Sequence, residues 1–87
     1  MKMIIVIVKD ADAESVSLAL TGKDFRVTRI ASTGGFLRSG VVTLLTGVDD
    51  ERVEAGLQVI RDQLKGSGSE ESQATIFVVP VQRFEKV

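Results

Sequence analysis

Apolar residues gather in three runs along the chain, with shorter periodic or alternating stretches between them. Residues 3–8 are apolar at every position and mostly β-branched, which predicts a strand buried on both faces. Lys9-Asp10-Ala11-Asp12 interrupts the run, and Asp10 or Asp12 is suited to cap a helix. Ala13, Val16, Ala19 and Leu20 then recur at helical spacing. Thr21-Gly22-Lys23-Asp24 closes that helix, with Gly22 suited to the left-handed residue after its end. Residues 25–31 alternate as a second strand, with Phe25, Val27, Arg29 and Ala31 on one side and Arg26, Thr28 and Ile30 on the other. Residues 41–48 form a third, strongly apolar strand. Asp49-Asp50-Glu51 opens a second helix, where acids meet the positive end of the helix dipole. Val53, Leu57, Ile60 and Leu64 are its buried stripe, and Lys65 sits at its C-terminal end. Residues 66–72 read as a flexible polar loop, and residues 74–79 as the last strand, ended by Pro80.

The predicted order is β-α-β-β-α-β over a single domain, residues 1–87. That is the ferredoxin-like α+β pattern, an antiparallel four-stranded sheet with both helices on one face. Two helices cover only one face, yet residues 3–8, 41–48 and 74–79 carry apolar side chains on both. A homo-oligomer packing sheet against sheet resolves this, with ligand sites in clefts between subunits.

Composition narrows the chemistry. The chain has no cysteine and no histidine, so a disulfide framework and the common zinc, copper and haem ligand sets are excluded. Eleven basic against twelve acidic residues give a net charge of −1, without the basic excess of a nucleic-acid-binding domain. The aromatic residues are all Phe, and the Val- and Ile-rich strands lack the stacking motifs of an RNA-binding sheet. The N-terminal apolar run is too short to span a bilayer and has no small-residue cleavage site, so the expected location is the cytoplasm. Asp10 with Asp12, and Asp49-Asp50-Glu51, fit helix starts better than a magnesium site. No nucleophile has a base placed by a motif, so no enzyme is expected and no cofactor or metal is assigned.

The least ordinary stretch is Thr33-Gly34-Gly35-Phe36-Leu37-Arg38-Ser39-Gly40. Its glycines allow close backbone approach to a ligand, and a loop Phe offers a stacking face for a nucleobase. Arg26, Arg29 and Arg38 stand nearby in sequence for phosphate, with the hydroxyls of Thr28, Ser32, Thr33 and Ser39. The competing reading is a glycine-rich connector whose Phe36 and Leu37 pack into a neighbouring subunit, and residue chemistry alone favours it slightly. A P-loop is excluded, because Val41-Val42 stands where Lys and Ser/Thr are required and a strand follows instead of a helix. Phe77, in the last strand, reads most simply as core.

Three segments carry a resemblance: residues 2–8, residues 25–40 with Thr-Gly-Gly-Phe-Leu-Arg at positions 33–38, and residues 75–81. Together they resemble the PII-like cyclic-di-AMP receptor family, similar to PII nitrogen-regulatory proteins. The resemblance implies a ferredoxin-fold homotrimer that binds cyclic-di-AMP in three inter-subunit clefts and signals to a downstream protein. It implies ligand contacts at Arg26, Thr28, Gly35, Phe36, Leu37, Gly47 and Phe77, with Phe36 beside an adenine. Asp24 and Val41 stand where the family usually has Asn, and Lys86 where it usually has Gln. The Gly66-Ser67-Gly68-Ser69 repeat replaces a longer family loop. The alternatives are a trimer binding another adenine nucleotide or small metabolite, and a ligand-free interaction module.

Overall fold

A computed structural model describes residues 1–31, 40–64 and 74–87. Strand β1 (Lys2–Lys9) leads into helix α1 (Asp10–Gly22), then strands β2 (Thr28–Ala31) and β3 (Val41–Val48). A single 3₁₀ turn (Asp50–Arg52) opens helix α2 (Val53–Leu64), and strand β4 (Ala74–Pro80) completes the sheet. The strand order is β2-β3-β1-β4 and every neighbouring pair is antiparallel. This is the ferredoxin-like arrangement expected from the βαββαβ pattern.

The two sheet faces differ. Ile4, Val6 and Val8 of β1, with Val42, Leu44 and Val48 of β3, are buried against Ala13, Val16 and Leu20 of α1 and Leu57 and Ile60 of α2. Each such aliphatic side chain contributes about 1.5–3 kcal/mol on burial, so this layer dominates the stability. The alternate residues of β1, Met3, Ile5 and Ile7, are only half-buried. Within one subunit β1 is therefore buried on one face and open on the other, because both helices lie on the same side. Val53 and Leu64 of the predicted α2 stripe are half-buried against the core edge. Lys65 and the 66–72 loop lie outside the described residues.

Helix α1 ends differently from the sequence expectation. Gly22 is its last helical residue, and the left-handed position falls on Asp24, at φ 67°. The Phe25 and Asp24 amides donate to the Leu20 and Thr21 carbonyls at 3.0 and 3.1 Å. This is the Schellman pattern, in which the residue after the left-handed one packs back on the helix. That residue is Phe25, buried beside Leu20, so the chain turns its first "strand" residue into the core and β2 begins only at Thr28. Arg52 locks the corner: its guanidinium lies 4.1 Å from the Phe25 ring centroid and donates to the Lys23 carbonyl at 2.8 Å.

At the other end of α1, neither acid caps through its side chain. Lys9 is the capping residue, without a side-chain hydrogen bond, and Asp10 and Asp12 occupy the first turn. The Asp10 amide instead donates to the carbonyl of Gly40 at 2.7 Å. Gly40, at φ 86°, makes the backbone turn that this contact requires.

One buried polar atom is left unpaired among the described residues: Thr46 Oγ1, on the helix side of β3. A valine has nearly the same shape and no hydroxyl to desolvate. Thr46→Val is expected to raise stability by about 1 kcal/mol in urea unfolding. A loss of stability would show that the hydroxyl is satisfied in solution.

Candidate functional site

The open face is organised in rows by the strand register. Thr28 pairs with Leu45, Leu45 with Ile5, and Ile5 with Phe77, so these four side chains run across the sheet from β2 to β4. The neighbouring row is Gly47, Met3 and Val79. Continuing the β2–β3 register by two residues brings Arg26 to Gly47. The alternation predicted for the second strand thus holds where it matters: Arg26 and Thr28 share a face, and Arg29 faces the other way.

At this corner lies a cavity of about 440 Å³, lined by Met1, Met3, Arg26, Thr28, Leu45, Gly47, Phe84 and Lys86. Three of the candidate site residues, Arg26, Thr28 and Gly47, meet in it. The lining holds two cations, a hydroxyl and no carboxylate. Gly47 lets the Met1 side chain lie flat on the sheet, since a Cβ there would stand 2.7 Å from the Met1 methyl carbon. Met1 is tethered through its amine, 3.0 Å from the Asp50 carboxylate. That hydrogen bond, aided by the charges of Lys2 and of the amine, holds the Asp50 carboxyl below the usual carboxylate range. The last residues return to the same corner, where the Val81 amide donates to the Met1 carbonyl at 3.0 Å and extends the β1–β4 ladder.

The other candidates separate. Phe77 lies at the far edge of the open face, three strand spacings or roughly 14 Å from Thr28. At 51% exposure it is not a core residue, which corrects the simpler reading of that position. Arg29, grouped with the phosphate-facing arginines by sequence proximity, is turned to the helix side. It pairs with Asp10 and Glu14 of α1, each at 3.4 Å. These exposed pairs contribute at most about 1 kcal/mol each, but they commit the guanidinium away from the cavity. Gly35, Phe36 and Leu37, with Ser32, Thr33, Arg38 and Ser39, lie outside the described residues. Val41 opens β3 opposite Lys9, at the end of the strand away from Gly47. Phe84 was absent from the candidates. Its only signal in the sequence is an aromatic set among charges, in Arg83-Phe84-Glu85-Lys86.

Among the described residues no group of three or more His, Cys, Asp or Glu side chains is arranged to hold a metal ion. No described helix is long and apolar enough to cross a membrane.

Comparison with known proteins bears on the whole chain. A family model described as cyclic-di-AMP receptor matches residues 1–70. The match therefore spans β1 through α2 and stops short of β4 and the tail. The chain is also similar to a functionally unknown protein from Pediococcus pentosaceus ATCC 25745, whose crystal structure superposes with a TM-score of 0.79 at 34% identity. That similarity covers 99% of this chain and 96% of the other, so it includes β4 and the tail.

Proposed function

The chain belongs to the cyclic-di-AMP receptor family, and on that premise we propose that it is a PII-like signal-transduction protein binding cyclic-di-AMP in the inter-subunit clefts of a homotrimer. The observation that carries the reading is the cavity beside β2. In a chain of net charge −1, its lining concentrates Arg26 and Lys86 with no carboxylate among them. Such a lining favours a ligand with phosphate charge, held by charge-assisted hydrogen bonds. Thr28 adds a hydroxyl, and Met1, Met3 and Leu45 give apolar surface against which a base can lie. The volume falls within the range of small-molecule sites, about 300–1,000 Å³.

The open face supports assembly. Ile30, Phe77 and Val79 are 44, 51 and 37% exposed on it, beside the half-buried Ile5, Ile7 and Leu45. A closed ring brings opposite sheet edges of neighbouring subunits together. Phe77 on the β4 side then completes the cleft begun by Arg26 and Thr28 of its neighbour. Gly35, Phe36 and Leu37 are retained as ligand contacts on the family resemblance alone. On this reading the signal leaves through a loop rearrangement on binding, recognised by a downstream protein in the cytoplasm. No catalytic step is assigned.

Isothermal titration calorimetry at two temperatures, with cyclic-di-AMP and with ATP and cyclic-di-GMP as controls, tests the reading. Cyclic-di-AMP is expected to bind at micromolar or tighter affinity with about one ligand per chain. Absence of heat at both temperatures refutes it. A clear preference for ATP favours a second reading, a trimer sensing another adenine nucleotide. Val41 motivates that reading, since it removes a side chain able to hydrogen-bond a base.

A further inference from the structure

We propose that Phe84 is a nucleobase-stacking wall of the cavity, contributed by the C-terminal tail after β4. The proposal rests on the nucleotide-binding reading above and adds to it a residue that lies beyond the portion matched by the family model. Three observations converge. Phe84 lines the cavity together with Arg26, Thr28 and Lys86. It is 64% exposed and takes no part in the hydrophobic core, so its ring is not consumed by the fold. The chain before it is tied to the sheet, the Val81 amide being bonded to the Met1 carbonyl.

An exposed aromatic at the rim of a cationic cavity matches the two halves of a nucleotide. The phosphate meets Arg26 and Lys86 while the base lies on the ring. A base carries a π-face whatever its hydrogen-bonding edge, so stacking on Phe84 adds affinity without selecting the base by itself. Selection among nucleotides is left to groups that read edges and phosphate spacing. The thioethers of Met1 and Met3, on other walls of the same cavity, are polarizable surfaces able to adapt to the opposite face of a base.

The chain contains no Trp and no Tyr, so Phe84→Trp introduces a single reporter at the site. Titration of Phe84→Trp with cyclic-di-AMP, ATP and AMP is expected to retain binding and to quench the tryptophan emission with the binding isotherm. Phe84→Ala is expected to weaken the same nucleotide about tenfold in calorimetry, the scale of one lost base–aromatic stack, with Phe84→Leu in between. The mass by light scattering should stay unchanged in all three variants. If the unmodified protein binds and Phe84→Ala binds equally well, the stacking wall is wrong and the nucleotide reading stands. A change of mass in Phe84→Ala also overturns it, because the ring then serves packing between subunits. If the unmodified protein binds none of the three nucleotides, both readings fall.

Discussion

Arg26→Ala is expected to weaken the proposed cyclic-di-AMP binding by about 10- to 100-fold, with no measurable loss of thermal stability. The magnitude is that of a hydrogen bond to a charged group, about 1.5–3 kcal/mol. The two arginines of this region show why the effect belongs to position 26. Arg29 spends its charge on Asp10 and Glu14. Arg26 forms no ion pair among the described residues and lines the cavity. Being exposed, it contributes little to the folded state, so stability and affinity should separate cleanly. The loss should shrink as salt rises, since screening weakens the interaction that the mutation removes. Arg26→Lys should restore part of the affinity but not the planar fork of the guanidinium. Equal affinity of Arg26→Ala and the unmodified protein at low salt would remove this residue from the site.

The second large effect is expected from Ile5→Asp. Ile5 stands in the middle of the row that runs from Thr28 through Leu45 to Phe77, on a central strand and on the face no helix covers. In a lone subunit an aspartate there reaches water, so the fold survives and the far-ultraviolet dichroism is kept. In an assembly packed through this face it is an unpaired charge in an apolar interface, costing several kcal/mol per subunit. The mass by light scattering is therefore expected to fall to the 9.4 kDa of one chain, and cyclic-di-AMP binding to disappear with it. Leu18→Asp is the control. Leu18 is 61% exposed on α1, away from the sheet, and its substitution should leave mass and binding unchanged. An unaltered mass for Ile5→Asp would show that the open face is not the contact between subunits.

The parts of the fold legible in the sequence are those where a single local signal decides. β3 occupies Val41–Val48, the predicted range, because its apolar run is bounded by a glycine turn and three acids. β2 was read three residues too long because Phe25 alternates correctly with Val27 and Arg29. Its burial beside Leu20 is a contact made by the helix end, which no strand period encodes. The same corner explains the misplaced left-handed residue. Glycine is the usual choice there, but a short polar residue tolerates the conformation as well, and both Gly22 and Asp24 were available. Asp24 and the asparagine expected from the resemblance share that tolerance, so the backbone accounts for either residue at this position. At the cavity, the shared face of Arg26 and Thr28 was legible from parity along one strand. Gly47 came from the family resemblance alone. Phe84 was missed because it reaches the cavity through a chain return after Pro80, a stretch with no periodicity to read.

β2 has four residues, joins the sheet through β3 alone, and is its outer strand. Its amides should therefore open to solvent at a lower free energy than those of β1, which is paired along both edges. Arg26 and Thr28, the residues proposed to grip the ligand, sit on, or just before, the part of the sheet that yields first. Occupancy then has a readout far from any output partner: hydrogen exchange at Thr28–Ala31 slows when the site is filled, by a factor that reports how much of the binding free energy goes into holding that strand in place.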